Sequence, residues 1–180
     1  MAVGATVYNF DIDLADADRG VYETLALRLA RHPSESDEYL IARVLAYALE
    51  YAEGIAFSPG GLSDPDAPPI AVRDLTGALA AWIDIGTPDA ARLHRASKLA
   101  RRVAVYVHKD PAQWLRSLDA ARIHRAAALE VWAIDRALIA SLCARLARRT
   151  AFTLSISDRE LYVSLADATL SGRVTRLPLP

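Results

Sequence analysis

The stretch that most constrains the fold of this chain is RVAVYVH, at positions 102–108. Its residues from 103 to 107 are apolar without interruption, so it lacks the alternation of a strand that has one face in water. Uninterrupted apolar strands are typical of parallel sheets whose two faces are both covered. We therefore expect an α/β domain with a mixed sheet flanked by helices and with this strand at its centre.

The segments beside this run predict the same architecture. IAVRDLTG and ALAAWIDIG, at 70–77 and 78–86, are short apolar runs around a turn and predict a strand pair. Pro88-Asp89 opens a predicted helix that continues to about Ala100. Crossovers between parallel strands are short and right-handed, so we expect this helix to join strand 82–85 to an adjacent strand at 103–107. Further elements are predicted at 110–118 (helix), 127–134 (strand) and 135–148 (helix).

Alternating segments near the two ends of the chain predict hairpins. TVYNFDIDL at 6–14 and YETLALRLARH at 22–32 alternate between apolar and polar residues, and TAFTLSIS pairs with ELYVSLADA around Asp158-Arg159. Between them, His32-Pro33 ends the strand, and Ser34 is the expected N-cap of a helix that runs to about Ala52. Residues 58–69 are rich in Pro, Gly and Asp and predict a long loop.

Several classes of function are excluded by what the sequence lacks. The single cysteine, Cys143, excludes a disulfide framework and a multi-cysteine zinc site. The histidines show no i,i+4 pair, and the chain has no P-loop, no GxGxxG and no GxSxG motif. It has no apolar stretch of about 18 residues and no secretory signal, so we expect one domain, residues 1–180, in the cytoplasm and without a membrane partner.

Three carboxylates are candidates for chemistry. Asp84 lies near the end of an apolar strand, where a buried charge is costly unless it is paired or binds a cation. Asp74 lies on the preceding predicted strand, and Glu35 opens the first predicted helix. Carboxylates on neighbouring strands can supply oxygen ligands to Mg²⁺ or Mn²⁺. The alternatives are that Asp84 pairs with an Arg or a loop amide, and that Glu35 offsets the helix dipole.

Basic residues follow Asp84 on the next predicted helix. Arg92, Arg95, Lys98 and Arg102 fall within about a third of the helical circumference. They form either a solvated face or a surface for a phosphate backbone, and a cation from the first turns could reach over the strand end that carries Asp84. Among the 21 basic residues, only Lys98 and Lys109 are lysines.

Taken together, these motifs resemble the YaeQ family of small bacterial proteins. The residues that carry the resemblance are His32-Pro33-Ser34-Glu35 and Trp82-Ile83-Asp84-Ile85-Gly86 with Pro88-Asp89, and the similarity spans essentially the whole chain. The resemblance implies a compact variant of the restriction-endonuclease-like PD-(D/E)XK nuclease core. In that motif a helix Glu and two strand carboxylates bind a metal, and a Lys two residues after the second carboxylate assists catalysis.

Matched to that motif, Glu35 is the helix acid, Asp74 the first strand acid and Asp84 the second, which makes them candidate metal ligands and catalytic residues. The chain departs from the motif at Gly86, which stands where the Lys is expected. The resemblance implies that the basic residue has moved to the following helix, where Arg95 and Lys98 are the candidates. Arg stays protonated at ordinary pH, so Arg95 can stabilise charge but cannot act as a base.

Three interpretations follow from the sequence. The first is a nuclease or phosphodiesterase-like enzyme that uses Mg²⁺ or Mn²⁺ to activate water. The second is a module that has lost turnover and binds DNA or RNA through the strip Arg92, Arg95, Lys98 and Arg102. The third is a protein-interaction module whose acidic 58–69 loop and basic half contact a protein partner.

Overall fold

A computed structural model describes residues 4–59 and 64–179 of the chain. Residues 60–63 of the predicted 58–69 loop lie outside the described residues, as do residues 1–3 and 180. No helix in the described part of the chain is long and apolar enough to span a membrane. The strands are β1 Thr6–Asp16, β2 Val21–Arg31, β3 Ile55–Phe57, β4 Ile70–Arg73, β5 Leu79–Ile85, β6 Arg102–Val107, β7 Glu130–Ile134, β8 Arg149–Ser157, β9 Glu160–Ser164 and β10 Thr169–Leu177. The helices are α1 Asp37–Leu49, α2 Ala90–Leu99, α3 Ala112–Ser117 and α4 Arg136–Cys143.

The described strands form one mixed sheet of ten, in the order β2-β1-β8-β9-β10-β7-β6-β5-β4-β3. β5, β6 and β7 run parallel to one another in its centre, with Ile83 opposite Ala104 and Tyr106 opposite Trp132. Residues 103–107 are all buried, and α2 connects β5 to β6. The prediction of a central strand beside 82–85 is therefore confirmed.

The sheet curls around α1, which is the reason that this helix is apolar on almost every side. The core on this face joins α1 to inward-facing residues of strands from both halves of the sheet, including Phe10, Ile83 and Leu154. A helix that is hydrophobic all round is a buried helix. The result is an α/β domain with a nearly closed mixed sheet and one enclosed helix.

The start of α1 differs from the prediction in a way that matters for the site. Its N-cap is Ser36 rather than Ser34, and the Ser36 side chain accepts a hydrogen bond from the Tyr39 amide at 3.1 Å. Glu35 therefore precedes the helix and does not lie in its first turn. The helix ends at Leu49, with Glu50 as its C-cap, which is earlier than the predicted Ala52.

The opposite face of the sheet is covered by α2 and α3, which pack on Trp82, Val105 and Val131. Asp89 caps α2, as the sequence predicts, by accepting a hydrogen bond from the Arg92 amide. Two strands, β3 and β10, were absent from the sequence prediction. β3 has only three residues, and Gly172 interrupts the pattern of β10 where it packs closely on α4.

Candidate functional site

The carboxylate of Asp84 is buried and held by three donors of the protein itself. Asp84 is 3% exposed and lies at the carboxyl end of β5, on the face that carries α2. Its Oδ2 accepts hydrogen bonds from Trp82 Nε1 at 3.1 Å and from Arg92 Nε at 2.7 Å. Its Oδ1 accepts one from the Ile85 amide at 3.3 Å. The interpretation of Asp84 as the partner of an Arg from the next helix therefore matches the structure.

Arg92 links the Asp84 carboxylate to the segment after residue 63, which contains Pro65 and Ala67. Its Nη1 donates to the Pro65 carbonyl at 2.6 Å and its Nη2 to the Ala67 carbonyl at 3.0 Å, while Nε contacts Asp84. The guanidinium also lies over the Trp82 ring, 5.2 Å from its centre. All three guanidinium nitrogens are thus used within the chain, because the planar fork of Arg suits several acceptors at once.

Glu35 forms a second buried ion pair, with Arg43 of α1. Glu35 is 2% exposed, and its Oε2 lies 3.1 Å from Arg43 Nη2. Its Oε1 accepts a hydrogen bond from the His32 amide, which folds the His-Pro-Ser-Glu segment into a turn. The ion pair is not aligned as a hydrogen bond, and Oε2 has no hydrogen-bond donor among the described residues.

Arg43 reaches both edges of the curled sheet. It donates to the Ala30 carbonyl of β2 at 3.1 Å, and its guanidinium lies 5.5 Å from the centre of the Phe57 ring of β3. Burial raises the pKa of Glu35 despite the neighbouring Arg43, and burial lowers the pKa of Arg43 despite Glu35. Desolvation of both charges therefore outweighs their mutual attraction, as is common for buried ion pairs.

The raised pKa of Glu35 predicts a pH dependence of stability. Because the folded-state pKa lies above the ordinary value of 4.5, the folded protein holds the Glu35 proton more tightly than the unfolded chain does. The resulting contribution to the free energy of unfolding is fully present below pH 4.5 and is lost as the pH rises through the folded-state pKa. We expect the free energy of unfolding of the wild type, relative to Glu35→Gln, to fall over that window. Urea denaturation of both proteins at a series of pH values measures it, and a difference that stays constant or rises with pH contradicts the assignment.

Tyr39 lies between the two ion pairs. Burial raises its pKa, the negative charge of Asp84 adds to this, and Arg43 counteracts it. Its side chain lines two neighbouring hollows, one that also contains Glu35 and one that also contains Asp84 and Arg92. Glu35 and Asp84 thus lie at the same end of the sheet, in two hollows that Tyr39, Ile85 and Thr87 both line.

The hollow on the Glu35 side is a half-open cleft of about 320 Å³. It lies between the start of α1 and the carboxyl ends of β5 and β6, which is where ligands bind in open α/β sheets. Two residues that the sequence analysis did not select line it, His108 and Lys109. The remaining lining is formed mainly by hydroxyl-bearing and small residues, namely Ser34, Ser36, Thr87 and Gly86, with Tyr39, Glu35 and Ile85.

His108 is almost wholly buried beside this cleft. It is 6% exposed, and its ring packs edge-on against Tyr39 with 6.1 Å between ring centres. Burial lowers its pKa, and Lys109 lowers it further, whereas Glu38 has the opposite effect. Its Nδ1 has no hydrogen-bond partner in the part of the chain that the structure describes.

Lys109 lines the cleft together with Gly86, the residue that stands where the nuclease motif has its lysine. Gly86 occupies that motif position with φ of +89°, a conformation that strains any residue with a side chain. Because β5 and β6 are parallel and paired in register, the ends of the two strands meet, and Lys109 lines the same cleft as Gly86. The sequence marked Lys109 as one of only two lysines, but its spacing from Asp84 gives no indication that it reaches this cleft.

Asp74 does not lie on a strand and does not join the other two acids. It follows β4 in the turn before β5, where it accepts hydrogen bonds from Thr76 and Ala78 and pairs with Arg101 at 2.7 Å. These bonds hold the pKa of Asp74 at about 2. Asp84 lies at the other end of β5, so the proposed set of Glu35, Asp74 and Asp84 is not assembled.

The basic strip is also not continuous. Arg92 binds Asp84, and Arg102, which lies on β6 rather than on α2, binds Glu50 and Glu130. Arg95 is exposed and pairs with Asp66 at 3.3 Å. Lys98 is exposed on the last turn of α2 and does not line the cleft. Neither Arg95 nor Lys98 therefore replaces the motif lysine at Gly86.

The divalent ion that the resemblance implies does not fit these residues as they are arranged. Both oxygens of Asp84 accept hydrogen bonds from the protein, and Glu35 is neutralised by Arg43. Within residues 4–59 and 64–179, no three His, Cys, Asp or Glu side chains form a group that could hold a metal. A cation at Asp84 competes with Arg92 for the carboxylate.

Comparison with known proteins identifies the family. A family model described as YaeQ protein matches residues 1–174. The chain belongs to the YaeQ family. A YaeQ protein of Salmonella typhi, described as uncharacterized, is 31% identical over 100% of this chain and 99% of its own length. A YaeQ protein of Escherichia coli strain K12, described in the same way, is 31% identical over 91% of each chain.

Two solved YaeQ structures resemble the whole domain. The crystal structure of the YaeQ protein from Pseudomonas syringae has a TM-score of 0.89 at 30% identity and covers 97% of this chain and 96% of its own. That from Xanthomonas axonopodis pv. citri has a TM-score of 0.87 at 32% identity and covers 98% and 99%. The overall fold is therefore shared with these two YaeQ proteins, and the activity has to be argued from the cleft.

Proposed function

We propose that the protein binds a phosphate-bearing ligand in the cleft formed by Glu35, Tyr39, Gly86, His108 and Lys109, without metal-dependent turnover. The observation that supports this best is the position of Lys109 beside Gly86 at the paired ends of β5 and β6. Every ion pair within the described residues uses Arg as its cation, so the Lys109 charge is not neutralised within them. This proposal shares the loss of turnover with the second interpretation of the sequence, but it places the ligand in this cleft and not on the strip Arg92, Arg95, Lys98 and Arg102.

The charges around the cleft favour an anion. Its own carboxylate, Glu35, is compensated by the buried Arg43, which leaves the Lys109 ammonium as the net charge of the lining. The N-terminal end of α1 adds a partial positive charge, and backbone and hydroxyl donors at such an end suit phosphate oxygens. The first turn carries two opposing charges, Asp37, which pairs with Arg31, and Glu38, which faces His108.

The same contacts argue against a nuclease mechanism in this arrangement. A two-carboxylate metal site needs Asp84 and Glu35 free to accept a cation, and each is instead bound to an Arg. The nuclease-like core remains an expectation from the resemblance, and a related fold does not carry its chemistry with it. We expect no cleavage of single-stranded or double-stranded DNA or RNA with Mg²⁺ or Mn²⁺.

Removing the Lys109 charge is expected to weaken phosphate binding. A hydrogen bond to a charged group contributes about 1.5–3 kcal/mol, so Lys109→Met should lower the affinity for inorganic phosphate at least about tenfold. Isothermal titration calorimetry of phosphate into both proteins measures the effect. Lys98→Met removes the other lysine of the chain, which lies outside the cleft, and should leave the affinity unchanged.

Acetate serves as a comparison in the same titrations, because a simple ammonium site binds any anion. A protein that binds phosphate and acetate equally has a non-selective charge at Lys109. Equal phosphate affinities for the wild type and Lys109→Met remove the proposed site.

A further inference from the structure

Two buried polar atoms beside the cleft have no hydrogen bond in the described part of the chain, although one of them, Glu35 Oε2, lies 3.1 Å from Arg43 Nη2 in an ion pair. Glu35 Oε2 and His108 Nδ1 both lack a hydrogen bond within the described residues, and both side chains are more than nine-tenths buried. Buried polar atoms in native proteins are almost always hydrogen-bonded, so an unpartnered one calls for an explanation. A ligand in the cleft that supplies hydroxyl groups would give both of them a hydrogen-bond partner.

The protonation states of these two groups suit hydroxyl groups. The lowered pKa of His108 keeps its ring neutral at neutral pH, and a neutral imidazole both donates and accepts a hydrogen bond. The Glu35 carboxylate accepts hydrogen bonds when charged and donates one when protonated. A hydroxyl group can satisfy either, because it is itself donor and acceptor.

The size and walls of the cleft favour a small molecule over a polymer. Its volume of about 320 Å³ is at the lower end of ligand pockets. Beyond Tyr39 the neighbouring hollow contains the Asp84 carboxylate, and the Arg92 guanidinium there is already bound to Asp84, Pro65 and Ala67. A phosphate backbone that continued past Tyr39 would therefore meet a carboxylate and an occupied guanidinium.

We propose that the ligand is a small hydroxylated phosphomonoester, of the sugar phosphate class, with its phosphate at Lys109 and its hydroxyl groups at His108 and Glu35. This inference rests on the proposed phosphate site. In this arrangement Lys109 binds the phosphate group, and His108 selects ligands that carry hydroxyl groups. Nucleic acid, which needs several phosphate contacts along a groove, is the competing class.

Glycerol phosphate and propyl phosphate are the matched probes, because they have the same carbon count and differ in hydroxyl groups. By calorimetry, the wild type should bind glycerol phosphate about tenfold more tightly than propyl phosphate, as expected for hydrogen bonds to buried groups. His108→Phe should lower this ratio, since it removes the hydrogen-bonding ring nitrogens while keeping a ring of similar shape, and the preference that remains reflects Glu35. Lys98→Met, which changes a residue outside the cleft, should leave both affinities at their wild-type values.

The outcomes separate the two proposals. Equal wild-type affinities for both esters overturn the hydroxylated ligand and leave the phosphate site in place, and this comparison needs no variant to fold. If neither ester nor inorganic phosphate binds, the phosphate site itself is overturned. The nucleic-acid alternative is tested with an oligonucleotide of about ten residues that has no terminal phosphate. If it binds more tightly than glycerol phosphate and its affinity depends strongly on salt, the small-molecule class is overturned in favour of nucleic acid.

Discussion

Replacing Asp84 by Asn is expected to destabilise the folded protein by about 2 kcal/mol in the absence of any metal. The change removes the negative charge of the carboxylate that neutralises Arg92. The same carboxylate accepts the hydrogen bonds from Arg92 and Trp82. Breaking a buried ion pair costs about 3–5 kcal/mol, and the partial exposure of Arg92 reduces this. Urea denaturation gives the difference in the free energy of unfolding.

The sign of this effect distinguishes an ion pair from an empty metal site. In a metal site without its cation, neighbouring carboxylates repel one another, so neutralising one of them stabilises the protein. Asp66→Asn is the matched control, because it removes the same charge from the exposed pair with Arg95 and should change stability by less than about 0.5 kcal/mol. An increase in stability for Asp84→Asn contradicts the ion-pair account.

Replacing Arg43 by Met is expected to cost about 3 kcal/mol at neutral pH, the largest effect that we predict for a single polar side chain. It leaves Glu35 buried without its cation and removes the bond to the Ala30 carbonyl of β2. Because the uncompensated Glu35 would then favour its protonated form, the loss of stability should become smaller as the pH is lowered.

The double variant Glu35→Gln with Arg43→Met tests the pairing. Since desolvation shifts both groups toward their neutral forms, a neutral pair should recover a part of the lost stability, with a coupling of at least about 1 kcal/mol in the double-mutant cycle. The bond from Arg43 to β2 is not recovered, so the double variant should remain below the wild type. Additive losses contradict a direct interaction between the two side chains.

The local sequence pattern was sufficient to predict the centre of the fold. The uninterrupted apolar run at 103–107 predicts a buried parallel strand, and the Asp89 cap and the apolar stripe of α2 predict the crossover that precedes it. The enclosure of α1 was not predicted, because a helix that is apolar on all sides does not indicate which strands will surround it. The short β3 falls below the length at which periodicity is informative.

The candidate site was predicted in part. Asp84 lies near the end of an apolar strand, as the sequence indicated, whereas Glu35 was placed at the opening of the first helix and its burial was not predicted. Asp74 was assigned to a strand, but the Asp-Leu-Thr-Gly sequence forms a turn in which the Asp74 side chain bonds the following backbone. Lys109 and His108 were missed because their approach to Gly86 depends on the register of β5 and β6, which local sequence does not specify.

The most direct test of the account is to titrate inorganic phosphate into the wild type by calorimetry, once with EDTA and once with Mn²⁺. A site formed by Lys109 and the start of α1, with both acids already paired to Arg, predicts the same affinity in the two experiments and no heat from Mn²⁺ alone. Phosphate binding that appears only with Mn²⁺ contradicts the account and restores the metal-dependent interpretation of Glu35 and Asp84.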